Sequence, residues 1–241
     1  MPANSKRRQK QLERKKAKRK EKHSLLVKQK NQGLGEQLSE AAAKAPVLDS
    51  FIAEDVWKEG LGTVLVSREL PDNRVALASF LVDRYCLGVK DAFARIMTKA
   101  EYKGKFLPHL EGNCDLIEVE PATARKLVED SVEYARRLGL NPHEDYRRAR
   151  PIFGDIDPAA AAEVFEFGQN GKPLFVAGPY DTPDRCYRIL GSLEHTCGRD
   201  GFHFMIPFLD GVPAGLLDRA RLAEPDGDES AYDEEDDDDG S

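Results

Sequence analysis

The chain has 241 residues, a formal net charge of −7 and 33% charged residues, a length that allows one or two domains. Because no run of about 18 apolar residues occurs, no helix is expected to span a membrane. The N-terminus lacks the apolar segment and cleavage site of a secretory signal. The four cysteines form no C-x-x-C pair, so we expect reduced thiols in a cytoplasmic protein.

Charge is concentrated at the two ends of the chain. Residues 1–30 carry thirteen Lys and Arg against two Glu, a net charge of +11. Residues 222–241 carry eleven Asp and Glu with no Lys or Arg, a net charge of −11. Since the ends cancel, residues 31–221 hold the remaining −7, which gives the middle part no electrostatic reason to bind nucleic acid.

Residues 1–35 form a basic arm in our interpretation, either disordered or a fraying helix. The arm has no apolar stripe before Leu25 and cannot bury enough surface to offset its ordering entropy. Such an arm attracts phosphate, so RNA or a ribonucleoprotein is the expected partner. The alternatives to RNA binding are that the segment is a solubilising tail or that it folds back on the acidic end of the chain. The expected nucleic-acid contacts are Lys6, Arg7, Arg8, Lys10, Arg14, Lys15, Lys16, Lys18, Arg19 and Lys20.

The next elements in chain order are two short helices and a hairpin. Residues 36–44 and 50–59 fit helices, the second with Ser50 as its N-cap. The runs at 63–69 and 74–83 are rich in β-branched and apolar residues. Turn residues separate these two runs, which together predict a hairpin.

The segment after the hairpin has apolar residues at helical spacing, namely Val89, Phe93, Ile96 and Met97. We therefore predict a helix over residues 88–97. Asp83 would then lie where a central strand ends and a helix begins. Residues 99–114 are polar and contain glycine, which predicts a loop, and residues 115–119 fit a short edge strand.

A pair of helices is predicted in the centre of the chain. Residues 121–138 have the clearest helical pattern, and Gly139 follows at a position that favours a positive φ. Asn141 is then placed to cap a second helix. That helix must stop before Pro151.

A second hairpin–helix unit is predicted near the end of the middle part. The dipeptide Asn170–Gly171 lies between VFEFG and KPLFVAG, which is a strong hairpin signal. Thr182 is placed to cap a helix that ends near Gly198. Residues 202–208 fit a last strand.

The middle part therefore predicts a single globular α+β domain at residues 48–215. Two hairpin–helix units and the central helix pair would surround a mainly antiparallel sheet. Residues 212–222 fit a short closing helix. The acidic residues 222–241 predict a disordered tail.

Carboxylates at predicted strand ends, loops and helix starts define a candidate metal site. These are Asp83, Asp91, Asp155, Asp157, Asp181 and Asp184. Converging carboxylates can hold Mg²⁺ for phosphoryl chemistry. The catalytic candidates are Asp83 and Asp91, with His143 as acid or base, and the metal candidates are Asp155 and Asp157. Helix capping explains the same carboxylates without a ligand, so we expect no metal.

Cysteines and histidines offer a second kind of site. Cys186, His195, Cys197 and His203 are zinc-ligand types, but their spacing matches no compact zinc site. Cys86 lies in an apolar run, which favours an inert buried thiol over a nucleophile. The sequence has no nucleophile elbow, phosphate loop or dinucleotide fingerprint, so no cofactor is expected.

The helix predicted after Asn141 carries an aromatic and several charged side chains: His143, Asp145, Tyr146, Arg147, Arg148 and Arg150. Contact with phosphate or RNA is one use of this surface. A solvated helix face with local Asp–Arg pairs is the alternative.

The segments FLVDRYCLGVKDAF, GLNPHEDYRRA and FEFGQNGKPLFVAGPYD resemble a set of uncharacterised bacterial proteins. That set shares an L-V-D-x-Y-C-L-G-V-K-D-A segment, a G-x-x-P-H-x-D-Y segment and a G-K-P hairpin. The resemblance covers residues 50–210 and implies that they form one domain, without implying a substrate, cofactor or catalytic residue. The residues at its motif positions are Asp83, Cys86, Lys90, Asp91, Pro142, His143, Asp145 and Tyr146.

Three functions are compatible with these features. The first is an RNA- or ribonucleoprotein-associated binding protein that uses the basic arm. The second is a metal-dependent phosphoester hydrolase, and the third is a protein-interaction module, which exposed Trp57 or Phe202 would favour. The sequence leaves the choice between binding protein and enzyme open.

Overall fold

Two β-sheets organise the part of the chain that the computed structural model describes, residues 44–178 and 181–206. The strands are β1 (Val47–Ala53), β2 (Leu61–Leu70), β3 (Arg74–Asp83), β4 (Gly88–Thr98), β5 (Leu116–Glu118), β6 (Leu174–Val176) and β7 (His203–Met205). The larger sheet is antiparallel, in the order β4-β3-β2-β1-β5, and β6 pairs with β7 in parallel. With the helices, the described residues make an α+β fold.

The α-helices differ greatly in length. They are α1 (Asp55–Lys58), α2 (Lys99–Glu101), α3 (Leu107–Glu111), α4 (Pro121–Arg137), α5 (Tyr146–Ala149) and α6 (Pro183–Cys197). A π-helical turn at Tyr102–Phe106 joins α2 to α3, and 3₁₀ turns occupy Arg150–Phe153 and Pro158–Ala160. The long helices α4 and α6 confirm the two clearest helix predictions.

The hairpin of β2 and β3 is confirmed, and its turn residues Asp72 and Asn73 both have positive φ. The helix predicted over residues 88–97 is wrong, because this segment is β4 and pairs with β3 along its length. Its inward-facing residues include Ala92 and Ala94, which are buried but small. The larger Phe93 lies on the other face of the strand. Because apolar residues occur on both faces, their spacing along the sequence resembled that of a helix.

The helix predicted over residues 50–59 is also largely wrong. Ser50 is a buried residue inside β1, which pairs with β2 on one side and β5 on the other. Only α1 remains of the predicted helix. The edge strand predicted at 115–119 is confirmed as β5, and its pairing with β1 joins residues about 65 positions apart, which local sequence does not reveal.

One face of the large sheet is covered by the helical segment 99–111, where the sequence predicted a loop. Tyr102 of this segment is fully buried, packs in a cluster with Leu65 and Leu77, and shares a hydrogen bond with the Ser67 hydroxyl. Thr98 and Glu101 form a reciprocal capping box at the start of the segment. Burial of this aromatic side chain outweighs the polar composition of the segment.

The opposite face of the sheet packs against α4 and the segment 146–153. Arg68 is buried on this side, and its guanidinium donates to the carbonyls of Ala45, Ile152 and Phe153. These hydrogen bonds join the start of β1 to the 3₁₀ turn. The positive φ expected at Gly139 after α4 is present, at +74°.

The segment after Gly139 is less helical than predicted. Residues 141–143 are not helical, because the His143 N–H donates to the carbonyl of Val89 in β4 at 2.9 Å. The second central helix is therefore reduced to α5. It still ends before Pro151, which lies in the first turn of the 3₁₀ helix.

The second hairpin–helix unit is present only in part. Asn170 and Gly171 form the expected turn, with φ of 53° and 81°, and Gln169 bridges to Lys172. The flanking residues 162–167 do not form a strand, and β6 pairs instead with β7. The unit packs through α6 against the end of α4 in a second apolar cluster.

The basic arm, the helix predicted at 212–222 and the acidic tail lie outside the described residues, as does the helix predicted at 36–44 apart from its last residue. Within the described ranges, no helix is long and apolar enough to cross a membrane.

Candidate functional site

Three residues selected from the sequence, Asp83, Asp91 and His143, line one cavity of about 640 Å³. The cavity lies where the end of β3 meets the starts of β2 and β4. Its other wall is formed by residues 174–178, which include β6, and by Asp181 and Arg185 at the start of α6. Its size is within the range of small-molecule and cofactor sites, about 300–1,000 Å³.

A β-bulge in β4 places two charged residues in this cavity. Leu81 pairs with Asp91 and Val82 pairs with Val89, so Lys90 is an extra residue in the ladder. Successive strand residues normally point to opposite faces of a sheet, and a bulge changes the direction of a side chain. Both Lys90 and Asp91 therefore line the cavity.

Asp83 forms the buried floor of the cavity and is 7% exposed. Its Oδ1 accepts hydrogen bonds from the backbone N–H groups of Tyr85 and Cys86, both at 3.0 Å, which fixes the turn between β3 and β4. Burial raises the pKa of Asp83 to about 6, although these hydrogen bonds and the charge of Lys90 act in the opposite direction. The carboxyl group therefore titrates near neutral pH.

A second buried carboxylate, Asp181, pairs with two cations at the cavity wall. Its oxygens lie 3.8 Å from Lys90 Nζ and 3.3 Å from Arg185 Nε, and it accepts the Gly178 N–H at 2.8 Å. The Asp181 side chain is 5% exposed. A Cβ at position 178 would lie 3.3 Å from Lys90 Nζ, so Gly178 packs closely against the Lys90 side chain.

His143 lies between two carboxylates at the edge of the cavity. Its Nδ1 is 3.6 Å from Asp91 and 3.8 Å from Asp145, and it accepts the backbone N–H of Asp145 at 3.3 Å. Asp145 also pairs with Arg148 at 2.6 Å. The local Asp–Arg pair expected for this segment is therefore present.

His143 also lines a second depression, an arginine-lined groove of about 810 Å³. Its cationic residues, which we call the groove arginines, are Arg125, Arg136, Arg147 and Arg150. The first two belong to α4, and the other two belong to the segment around α5. Two separate elements thus bring four guanidinium groups to one surface.

The groove arginines are only partly neutralised. Arg125 and Arg150 share Glu129, with nitrogen-to-oxygen distances of 3.1 and 3.7 Å. Arg136 and Arg147 are exposed and form no ion pair with any residue in the described ranges. Exposed, unpaired guanidinium groups are suited to phosphate oxygens.

The sequence did not indicate Arg125 and Arg136 as site residues. They are eleven positions apart on α4, which is close to three helical turns and places them on the same face. That spacing was a readable signal. Their alignment with Arg147 and Arg150 was not, because it depends on how the 146–153 segment folds against the sheet.

The two carboxylates proposed as metal ligands, Asp155 and Asp157, lie elsewhere. Asp155 pairs with Arg68 at 2.9 Å, and Asp157 accepts the Ala159 N–H as the cap of a 3₁₀ turn. Among the described residues, no group of three or more His, Cys, Asp or Glu is arranged to hold a metal ion. The hydrolase alternative therefore lacks a ligand set in this part of the chain.

The remaining residues selected from the sequence do not form a site. All four cysteines are free thiols, and burial raises the pKa of Cys86, which favours the protonated form. Trp57 is half-buried and stacks on Phe165, and Phe202 is buried. Neither aromatic has the exposure that would favour an interaction module.

No protein-family model matches the chain, and comparison with curated proteins and with solved structures gives no match.

Proposed function

We propose that this protein binds single-stranded RNA, with the basic arm and the arginine-lined groove both contacting phosphates. The groove is the observation that carries the proposal. It collects four arginines in a part of the chain whose net charge is negative, and two of them, Arg136 and Arg147, are exposed without an ion pair in the described residues.

The position of the groove beside a cavity favours a single strand over a duplex. It adjoins a partly apolar cavity through His143, which lines both. Proteins that read single-stranded RNA combine basic surface with pockets that accept unstacked bases. A duplex keeps its bases stacked and would leave the cavity unused.

The arm would add a sequence-independent attraction. Its net charge of +11 is located in thirty residues, and each phosphate contact releases a counterion. We therefore expect the arm to supply most of the affinity at low salt. The groove would then hold a defined stretch of the strand.

The test is the salt dependence of binding to a fluorescent uridine oligomer, measured by anisotropy. The full chain is compared with the double variant Arg136→Gln/Arg147→Gln. Loss of two phosphate contacts should reduce the slope of log affinity against log salt by about 1.4. The matched control is Lys103→Gln/Lys105→Gln, which removes two exposed charges from the opposite side of the sheet.

A second measurement uses a chain that lacks residues 1–30. This chain should lose most of its RNA affinity. If the groove variant and the lysine control give the same slope, the groove does not contact phosphate. If the full chain binds no RNA even at low salt, the proposed function is wrong.

A further inference from the structure

The cavity beside the groove has a lining that differs from that of the groove, although the two share His143. Leu61, Leu81, Leu174 and Val176 make much of its wall apolar. Leu61 and Val176 are each 39% exposed, which leaves apolar surface for an occupant to cover. The lining thus suits a flat, partly apolar group.

Tyr85 adds an aromatic surface to the cavity. Its ring packs directly on Gly60, where a Cβ would come within 2.3 Å of the ring carbon Cε2. Gly60 also has a φ of +76°, so a larger residue would be strained there. Gly60 therefore restricts the ring on one side, and the Arg84 guanidinium lies 5.7 Å from the ring centroid. A ring restricted in this way is suited to stacking on a base.

The charges of the cavity decide which part of a nucleotide enters it. Carboxylates outnumber cations in the cavity lining, since Glu59, Asp83, Asp91 and Asp181 face only Lys90 and Arg185, whereas the groove next to it carries four arginines that attract phosphate. A strand that crosses both would place its backbone in the groove and a base in the cavity. The excess of negative charge in the cavity over the groove favours this orientation.

The bulge in β4 provides both an ammonium donor, Lys90, and a carboxylate acceptor, Asp91. Asp91 has a side chain that is 63% exposed, so it is accessible to a ligand. The Watson–Crick edge of guanine presents an acceptor, O6, followed by two donors, N1–H and N2–H. Adenine, cytosine and uracil lack two adjacent donors, so a carboxylate can discriminate against them.

We propose that this cavity binds an unstacked guanine base of the RNA strand, with Asp91 accepting from N1–H and N2–H and Lys90 donating to O6. This inference rests on the proposed RNA-binding function. Tyr85 stacks on the base, and the groove arginines hold the neighbouring phosphates.

The experiment uses the full chain and uridine oligomers that differ at one central position, which is guanosine, inosine or adenosine. The guanosine oligomer should bind about 5- to 150-fold more tightly than the adenosine oligomer. Inosine lacks only the N2 amine and should fall between them. In Asp91→Asn, the ratio of guanosine to adenosine affinity should fall towards one.

The matched control is Asp72→Asn, an exposed carboxylate at the other end of β3, on the order of 30 Å away along the strand. This control should keep the guanine preference. Equal binding of the three oligomers by the wild-type chain would overturn the guanine site while leaving RNA binding intact. A preference that persists in Asp91→Asn would also overturn it.

Binding of free guanosine monophosphate distinguishes failure of the guanine site from failure of RNA binding. If no oligomer binds but the mononucleotide binds saturably and Asp91→Asn weakens it, the cavity recognises guanine from a free nucleotide, and RNA as its source is wrong. If neither the oligomers nor the mononucleotide binds, both proposals fail.

Discussion

Asp83 combines a structural role with a position inside the cavity. Its carboxyl group holds the turn between β3 and β4, yet burial raises its pKa to about 6. In the unfolded chain the group titrates near 3.8. Between these two values the folded chain binds more protons than the unfolded chain, so stability must fall as pH rises.

We predict that the free energy of unfolding decreases by about 2 kcal/mol from Asp83 alone as pH rises from about 4 to about 7. Asp83→Asn keeps an oxygen to accept the turn N–H groups and has no charge, so it should lose this contribution. Urea unfolding across this pH range measures it. Asp72→Asn should retain the wild-type pH profile, and an unchanged profile in Asp83→Asn would contradict the assignment.

At the scale of single residues, the sequence predicted Asp83, Asp91 and His143 for a partly wrong reason. Asp83 was expected at a strand-to-helix junction, but it lies at a strand-to-strand turn. Asp83 and Asp91 come together because β3 pairs with β4, and His143 joins them because its N–H donates to the carbonyl of Val89. Arg185 was missed as a site residue, although its pair with Asp181 is local, four positions along the chain. Local sequence does not show that both residues line the cavity, because this depends on how α6 packs against the sheet.

At the scale of elements, β4 depends on one close approach to α4. Gly88 begins the strand with a φ of +64°, and a Cβ there would lie 2.5 Å from the Ser131 carbonyl oxygen and 2.9 Å from Ala135 Cβ. The bulge that exposes Lys90 and Asp91 follows two residues later. The geometry of the cavity therefore depends on a position where a side chain does not fit.

We predict that Gly88→Ala costs about 3 kcal/mol of stability, from the left-handed backbone and the contact with α4. Gly104→Ala is the matched control, because a Cβ there meets no atom within 4 Å. Replacing this helical glycine by alanine should be neutral or stabilise the protein by up to about 1 kcal/mol. Denaturant unfolding compares the two variants, and equal midpoints would show that the approach to α4 is not tight.

Elements with strong local signals were predictable, and those set by distant pairing were not. The helical repeat of α4, the Thr182 cap of α6 and the turn at Asn170 could all be read from the sequence. The end of β1, residues 50–53, and β4 were assigned to helices because their neighbours in the sheet, rather than their own residues, determine their conformation.

At the scale of the whole molecule, the separation of charge between the two ends gives the proposed RNA affinity an internal competitor. The negative charge of residues 222–241 equals the net charge of the arm in magnitude, so we expect these carboxylates to compete with phosphate for the arm. This competition is electrostatic and long-range. It should weaken as salt shortens the screening length from about 30 Å at 0.01 M to about 10 Å at 0.1 M.

We therefore predict that deletion of residues 222–241 strengthens RNA binding severalfold at low salt and has little effect at high salt. Replacing the eleven acids by Asn and Gln, at constant length, should have the same effect, because charge rather than chain length causes the competition. A shuffled tail of the same composition should behave as wild type. An RNA affinity that is unchanged by the deletion at low salt would show that the acidic residues do not engage the arm, and the arm would then be free to bind phosphate at any salt concentration.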